Sequence, residues 1–141
     1  MIIRKAILQD LEDIYQIYSN RYDSHDASSI KYTKSDWEWY LKNDKSIILV
    51  GEEDGNLVGL TFTYDMGIWG YMEHVVISEK YRNKGYASQL INSTIDVGRS
   101  LGWRILEACY YNEIDMMKEF FQKISWSDGG INTRWVFIEI N

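Results

Sequence analysis

The chain has 141 residues, enough for one domain with a real core, and its 45% hydrophobic and 26% charged content is globular rather than disordered. No apolar run approaches the ~20 residues that span a bilayer. A net charge of −6 argues against an extended nucleic-acid surface; it suits a cationic partner such as an amine, or simply solubility. The single cysteine, Cys109, excludes an internal disulfide or a cysteine metal cluster. The opening Met1-Ile2-Ile3-Arg4-Lys5 lacks a signal-peptide pattern, so a cytoplasmic protein with no membrane segment is expected. No repeat, low-complexity stretch or linker breaks residues 1–141, which reads as one domain.

Ile2 to Leu8 reads as a first strand. Asp10 can cap a helix carrying Leu11, Ile14, Tyr15 and Tyr18 at helical spacing. A polar loop, Tyr22 to Ser29, follows, and Ser35 with Glu38 forms a capping-box pattern opening a second helix with Trp37, Tyr40 and Leu41. Two strand-like runs, Ile47 to Val50 and Leu57 to Tyr64, flank the turn sequence Glu53-Asp54-Gly55-Asn56 and predict a hairpin. After the loop Asp65 to Gly70, Tyr71 to Ile77 is a further strand. Gly85 then opens a long helix with Ala87, Leu90, Ile91, Thr94 and Leu101 on one face, stopped by Gly102. Trp103 to Tyr111 reads as a strand, Glu113 to Ile124 as a helix and Thr133 to Ile140 as a final strand, with room for an extra strand near Trp126. The order β-α-α-β-β-β-α-β-α-β makes a mixed α/β sheet fold with about four helices. Its strand-helix-strand step favours a right-handed crossover with local parallel pairing.

The chemistry-bearing stretch is Glu73-His74-Val75-Val76-Ile77-Ser78-Glu79-Lys80-Tyr81-Arg82-Asn83-Lys84-Gly85-Tyr86-Ala87. A strand runs into a basic, glycine-containing turn and then a helix. Outward N–H groups, the helix dipole, Arg82 and Lys84 together suit a phosphate or pyrophosphate. Gly85 removes a Cβ where a ligand would approach the backbone. The pattern is neither a Walker loop nor the three-glycine dinucleotide fingerprint.

The string Arg-x-x-Gly-x-Ala, preceded by Val-Val-Ile and followed by a Leu-Ile helix, resembles the coenzyme A motif of the GNAT N-acetyltransferase superfamily. The opening Ile-Arg-Lys-Ala, then Asp-Leu-Glu-Asp-Ile, and the hairpin Ile48-Leu49-Val50 with Leu57-Val58-Gly59 resemble it too, so the likeness covers nearly the whole chain. It implies a central, splayed mixed sheet and acetyl-CoA as cosubstrate, without a metal. By the same resemblance the backbone of Val75, Val76 and Ile77 would meet the pantetheine arm. Arg82, Asn83, Lys84, Gly85, Tyr86 and Ala87 would wrap the pyrophosphate, and the acetyl thioester would sit in the gap beside the Trp103–Tyr111 strand.

The family's usual reaction is direct attack of a neutral amine on the thioester. Glu73 is the candidate base, against the alternative of a solvated strand carboxylate; Val76 N–H is the candidate oxyanion donor. His74 should point to the opposite face as a structural histidine. Relatives often carry a tyrosine acid where this chain has Phe121; Tyr111 or Tyr110 can substitute, as can solvent. Asn112 stands two residues early for the coenzyme-contacting asparagine that often begins the fourth helix.

The segments that build the family's acceptor site hold Tyr22, Asp23, His25, Asp26, Tyr32, Trp37, Asp65 and Trp69, acids and aromatics that suit an amine. Asp23, His25 and Asp26 lack the fourth partner of a metal site. The expected acceptor is a small-molecule or peptide amine, with no nucleic acid or membrane partner. A non-catalytic coenzyme A-binding module is the competing function. A monomer or a homodimer is expected; the strand Trp135-Val136-Phe137-Ile138 is apolar enough to pair across a subunit interface and equally suits the sheet core.

Overall fold

A computed structural model of the protein describes residues 1–23, 31–109, 115–124, 126–128 and 135–141. The strands are β1 (Ile2–Lys5), β2 (Ser46–Glu53), β3 (Asn56–Asp65), β4 (Trp69–Ile77), β5 (Ile105–Cys109), β6 (Ser127–Asp128) and β7 (Trp135–Glu139). The helices are α1 (Leu11–Asp23), α2 (Lys34–Leu41), α3 (Tyr86–Leu101) and α4 (Asp115–Lys123). The seven strands form one mixed sheet in the order β1-β2-β3-β4-β5-β7-β6. All neighbours are antiparallel except β4 and β5, which are parallel across the α3 crossover, as the strand-helix-strand reading predicts.

The alternation of β2 shows how the sheet is covered on both faces. Ile47 and Leu49 pack with Leu90 and Ile91 of α3 and Phe121 of α4. Ile48 and Val50 pack with Ile14 and Tyr18 of α1 and Trp37 of α2. The turn between β2 and β3 has positive φ at Asp54 and Gly55, the conformation the Asp-Gly pair predicts for a two-residue hairpin.

Several boundaries differ from the expectation. β1 ends at Lys5, because Asp10 is buried at the end of a 3-10 turn and accepts from Ile7 N–H (2.8 Å) and the Arg4 guanidinium (2.7 Å) rather than capping α1. The capping box of α2 is Thr33 with Asp36, two residues before the pair read from sequence; their reciprocal bonds are 3.2 and 2.7 Å. Leu101 is exposed, and on the buried side of α3 its place is taken by Gly98, which lets the Trp103 ring approach the helix. The extra strand expected near Trp126 is β6. β7 lies between β5 and β6 with Val136 buried, so it belongs to the sheet and not to a subunit edge.

Candidate active site

The site begins where β4 and β5 part. Their parallel pairing runs from Trp69↔Ile105 to Met72↔Ala108 and stops there. Beyond it β4 continues to Ile77 while β5 turns to β7 alone. The ladder between β3 and β4 slips by one residue at the same level, Phe62 facing His74 and Thr63 facing Met72. Glu73 is therefore the extra residue of a β-bulge, a device that bends a strand and re-aims a side chain.

The bulge also breaks the alternation of β4. Met72 packs on the α3 face and Val75 and Ile77 pack on that same face, whereas His74 and Val76 turn to the α1–α2 face. Glu73 and His74 were expected on opposite faces. Tyr32, edge-on to the His74 ring at 5.3 Å, is also among the groups that act on the Glu73 carboxyl. Burial pushes the Glu73 carboxyl above the ordinary glutamate range, and the Tyr32 hydroxyl pulls it part of the way back. Burial also lowers the His74 imidazole to about 4, so His74 is neutral at pH 7 among Tyr18, Tyr32, Trp37 and Phe62.

Ladder parity decides which backbone groups of β4 face the gap. Ser78 N–H donates to Val58 O at 2.9 Å. Counting back in an antiparallel pair, Val76 and His74 point their N–H and C=O at β3, while Val75 and Ile77 point theirs away. Val76 N–H is thus committed to the ladder. The outward donors are Val75 and Ile77, a distinction that needs the register and is absent from the residue types.

The turn after β4 is shaped by two left-handed residues, Asn83 at φ 60° and Gly85 at φ 78°. Asparagine is one of the few side chains that tolerates this region. A Cβ on Gly85 would meet nothing within 4 Å, so conformation within the protein, not packing, requires glycine here. As N-cap of α3, Gly85 supplies no capping side chain, which leaves the first N–H groups of the helix open. Arg82 lies back along β4 with Nε donating to Ile77 O at 3.1 Å. The Lys80 and Lys84 ammoniums stand 4.9 and 5.4 Å from the Tyr81 ring centroid. Tyr86 is anchored through its hydroxyl to Glu53 at 2.7 Å, and Ala87 in the first turn is half-buried.

Other candidates fall elsewhere. Trp37 is wholly buried and belongs to the core rather than to a pocket wall. Asp65 accepts from the Trp103 indole (2.8 Å) and from Gly67 N–H (3.0 Å). Trp69 is half-exposed at the start of β4. Phe121 is buried against Trp126, ring centroids 5.1 Å apart. Tyr110, Tyr111, Asn112, His25, Asp26 and the side chains of Tyr22 and Asp23 lie outside the described residues. Among the described residues no group of three or more His, Cys, Asp or Glu gathers as for a metal, and no helix is long and apolar enough to cross a membrane. Sequence reading gave no role to Tyr64 and Tyr40, whose hydroxyls join that of Tyr32. Their signal, one tyrosine on each of two elements far apart in sequence, emerges only once β3 and α2 are packed together.

This mixed sheet with its four helices matches the fold of GNAT acetyltransferase structures. An N-acetyltransferase from Staphylococcus aureus superimposes with a TM-score of 0.85 at 19% identity, covering 99% of this chain and 98% of that one. The PaiA N-acetyltransferase of Thermoplasma acidophilum, solved with coenzyme A, gives 0.83 at 14% identity with 96% of both chains covered. The acetyltransferase (GNAT) family model matches residues 10–124, and the chain belongs to that family. An uncharacterized N-acetyltransferase of Methanocaldococcus jannaschii is 23% identical over 95% of this chain, which spans 64% of that relative's length.

Proposed function

We propose that this protein transfers the acetyl group of acetyl-CoA to a primary amine of a small molecule or peptide. The observation that carries the reading is the bared edge of β4. Past Met72 the outward N–H and C=O of Val75 and the N–H of Ile77 have no strand partner among the described residues, Ile77 O accepts from Arg82 Nε, and the strand leads into the left-handed turn Asn83–Gly85. An extended amide-bearing arm can pair with such an edge as an added strand does. The diphosphate of the same molecule then falls at the open start of α3 beside Arg82 and Lys84. Coenzyme A has that shape and that order of groups, and the coenzyme A bound in the Thermoplasma structure belongs to a protein of the same fold.

In this reading Glu73, half-buried at the bulge, takes the proton of the attacking ammonium, and its raised carboxyl pKa brings it nearer the operating pH. Val75 or Ile77 N–H meets the developing oxyanion. Phe121 cannot donate a proton, so the departing thiolate is protonated by Tyr111 or by solvent.

A non-catalytic coenzyme A-binding module is the second reading, favoured by the burial of Phe121 in the core. Calorimetric titration with acetyl-CoA, alongside the Arg82→Ala/Lys84→Ala double variant, tests the coenzyme site. Binding that weakens in the variant supports it, and no binding by the wild type refutes it. Thiol release with a panel of primary amines then separates enzyme from binding module.

A further inference from the structure

We propose that Glu107 selects the acceptor by pairing with a second positive charge on it, so that the amine this protein takes is an aliphatic diamine. The inference rests on the reading that Glu73 receives the attacking amine, and it assigns a role to a carboxylate which that reaction does not otherwise use.

One row of side chains crosses the sheet where β4 and β5 still pair. Tyr64 of β3 is registered with Tyr71 of β4, Tyr71 with Glu107 of β5, and Glu107 with Phe137 of β7. The row lies on the α1–α2 face. Leu106 and Ala108, on either side of Glu107, are buried in the cluster of the α3–α4 face, so strand alternation turns Glu107 away from it. Gly70 and Met72 fix Tyr71 in the same way, since a Cβ on Gly70 would run into the Trp103 ring and Met72 is buried in the Trp103 cluster. Tyr64 packs against the Trp37 and Phe62 cluster, and its ring stacks on that of Tyr71 with centroids 6.3 Å apart and planes 10° from parallel.

This part of the face is left open by the helices. The apolar cluster closed by α1 and α2 takes in Leu60 and Phe62 of β3 and Val76 of β4 and, among the described residues, nothing from β5 or β7. Glu107 is half-buried, and among the described residues its carboxyl has no hydrogen bond or ion pair. A sheltered, unpaired carboxylate is a ready partner for a cation through charge-assisted hydrogen bonds. The neighbouring positions of the face hold Trp69, Ile105 and Phe137, all half-buried, and the exposed Glu139; none is lysine or arginine.

Spacing sets the kind of molecule that fits. Glu73 stands two residues beyond Tyr71, about 7 Å along β4, and Glu107 one strand spacing, about 5 Å, to the side, so their backbones are about 8 Å apart. Glu73 shares the bulge with His74 opposite Phe62, and its charge acts on Tyr32 and Tyr64 of the same face. Tyr71 stands at the corner between the two carboxylates. A short methylene chain lies on an aromatic ring without desolvating a polar group, and an ammonium at each end answers one carboxylate. One ammonium gives its proton to Glu73 and attacks; the other keeps its charge and stays on Glu107. Glu107 therefore acts on binding, away from the reacting atoms.

Calorimetry tests this with pentane-1,5-diamine and with pentylamine, the same chain lacking one ammonium, each with and without saturating coenzyme A. Wild type is expected to bind the diamine at least about tenfold more tightly, the size of one charge-assisted contact. Glu107→Gln is expected to bring the diamine down to the monoamine. Asp44→Asn, which removes the same charge from an exposed position after α2, is expected to keep the preference. The proposal is overturned by equal affinities in wild type, by no binding of either amine, by an undiminished preference in folded Glu107→Gln, or by an equal loss in Asp44→Asn. Should Glu107→Gln fail to fold, the Glu107 carboxyl resonance of ¹³C-labelled wild type serves instead; it must move with the diamine and not with the monoamine. The coenzyme arm keeps the two ideas apart. Wild type that takes up no coenzyme A refutes the acetyltransferase reading, whereas the amine preference measured without coenzyme stands or falls on Glu107.

Discussion

Trp103 donates its indole N–H to Asp65 Oδ1 at 2.8 Å, tying the exit of α3 to the end of β3 beside the seam between β4 and β5. The ring fits because Gly70 on β4 and Gly98 on α3 offer no side chains; a Cβ on either would lie inside it. Gly98→Ala should cost about 1–3 kcal/mol through overpacking, lowering the melting temperature by several degrees. Thermal denaturation checks this, and an unchanged transition would mean that the indole moves freely.

Gly85→Ala isolates backbone conformation from packing, since open space surrounds the position. Holding alanine at φ 78° costs about 1–2 kcal/mol. Acetyl-CoA affinity should fall, because the turn relaxes away from the left-handed region, and Gly85→Asn should keep more of both stability and affinity. Denaturant unfolding and calorimetry of the pair measure the two effects.

Glu73→Gln keeps the shape of the bulge and removes the proposed base. Turnover with an accepted amine should drop by roughly 10²–10⁴-fold while acetyl-CoA binding stays near wild type. Equal loss of both would move Glu73 from chemistry to architecture.

His74 gives a signed pH dependence. Its folded-state pKa is lowered to about 4, below the unfolded value of 6.5, so the unfolded chain binds the extra proton first. The stabilising contribution is full above pH 6.5 and is lost as pH falls through about 4, roughly 3 kcal/mol in all. Glu73 acts in the opposite sense. Its raised carboxyl favours the fold below the unfolded glutamate value and loses that advantage as pH rises through the raised one. His74→Leu should flatten the stability curve between pH 4 and 6.5. Urea midpoints across that range decide it.

The capping box of α2 offers a local test. Thr33→Ala removes the oxygen that accepts Asp36 N–H and should cost about 0.5–2 kcal/mol.

Much of the fold was legible because its signals are local. Asp54-Gly55 marks the hairpin, Gly85 and Gly102 bracket α3, and strand-helix-strand order gives the one parallel pair. The left-handed turn before α3 was legible for the same reason, being a contiguous string. What escaped depends on pairing. One inserted residue at Glu73 reverses the face of every later side chain on β4, and a period-two count through the strand cannot see it. The same register moves the outward N–H from Val76 to Val75 and Ile77. The Tyr32–Tyr64–Tyr40 chain joins residues 32 and 24 positions apart, a proximity that only the packed sheet creates.

Among the described residues the strand pairing between the two halves of the sheet is confined to four residue pairs, Trp69 to Met72 of β4. Val75 and Ile77 therefore sit in the middle of the strand order yet have the amide chemistry of an outermost strand. In hydrogen exchange they should lose their label far earlier than Val76, their neighbour in the closed ladder. A bound molecule that pairs with them would protect these two amides and would brace one half of the sheet against the other.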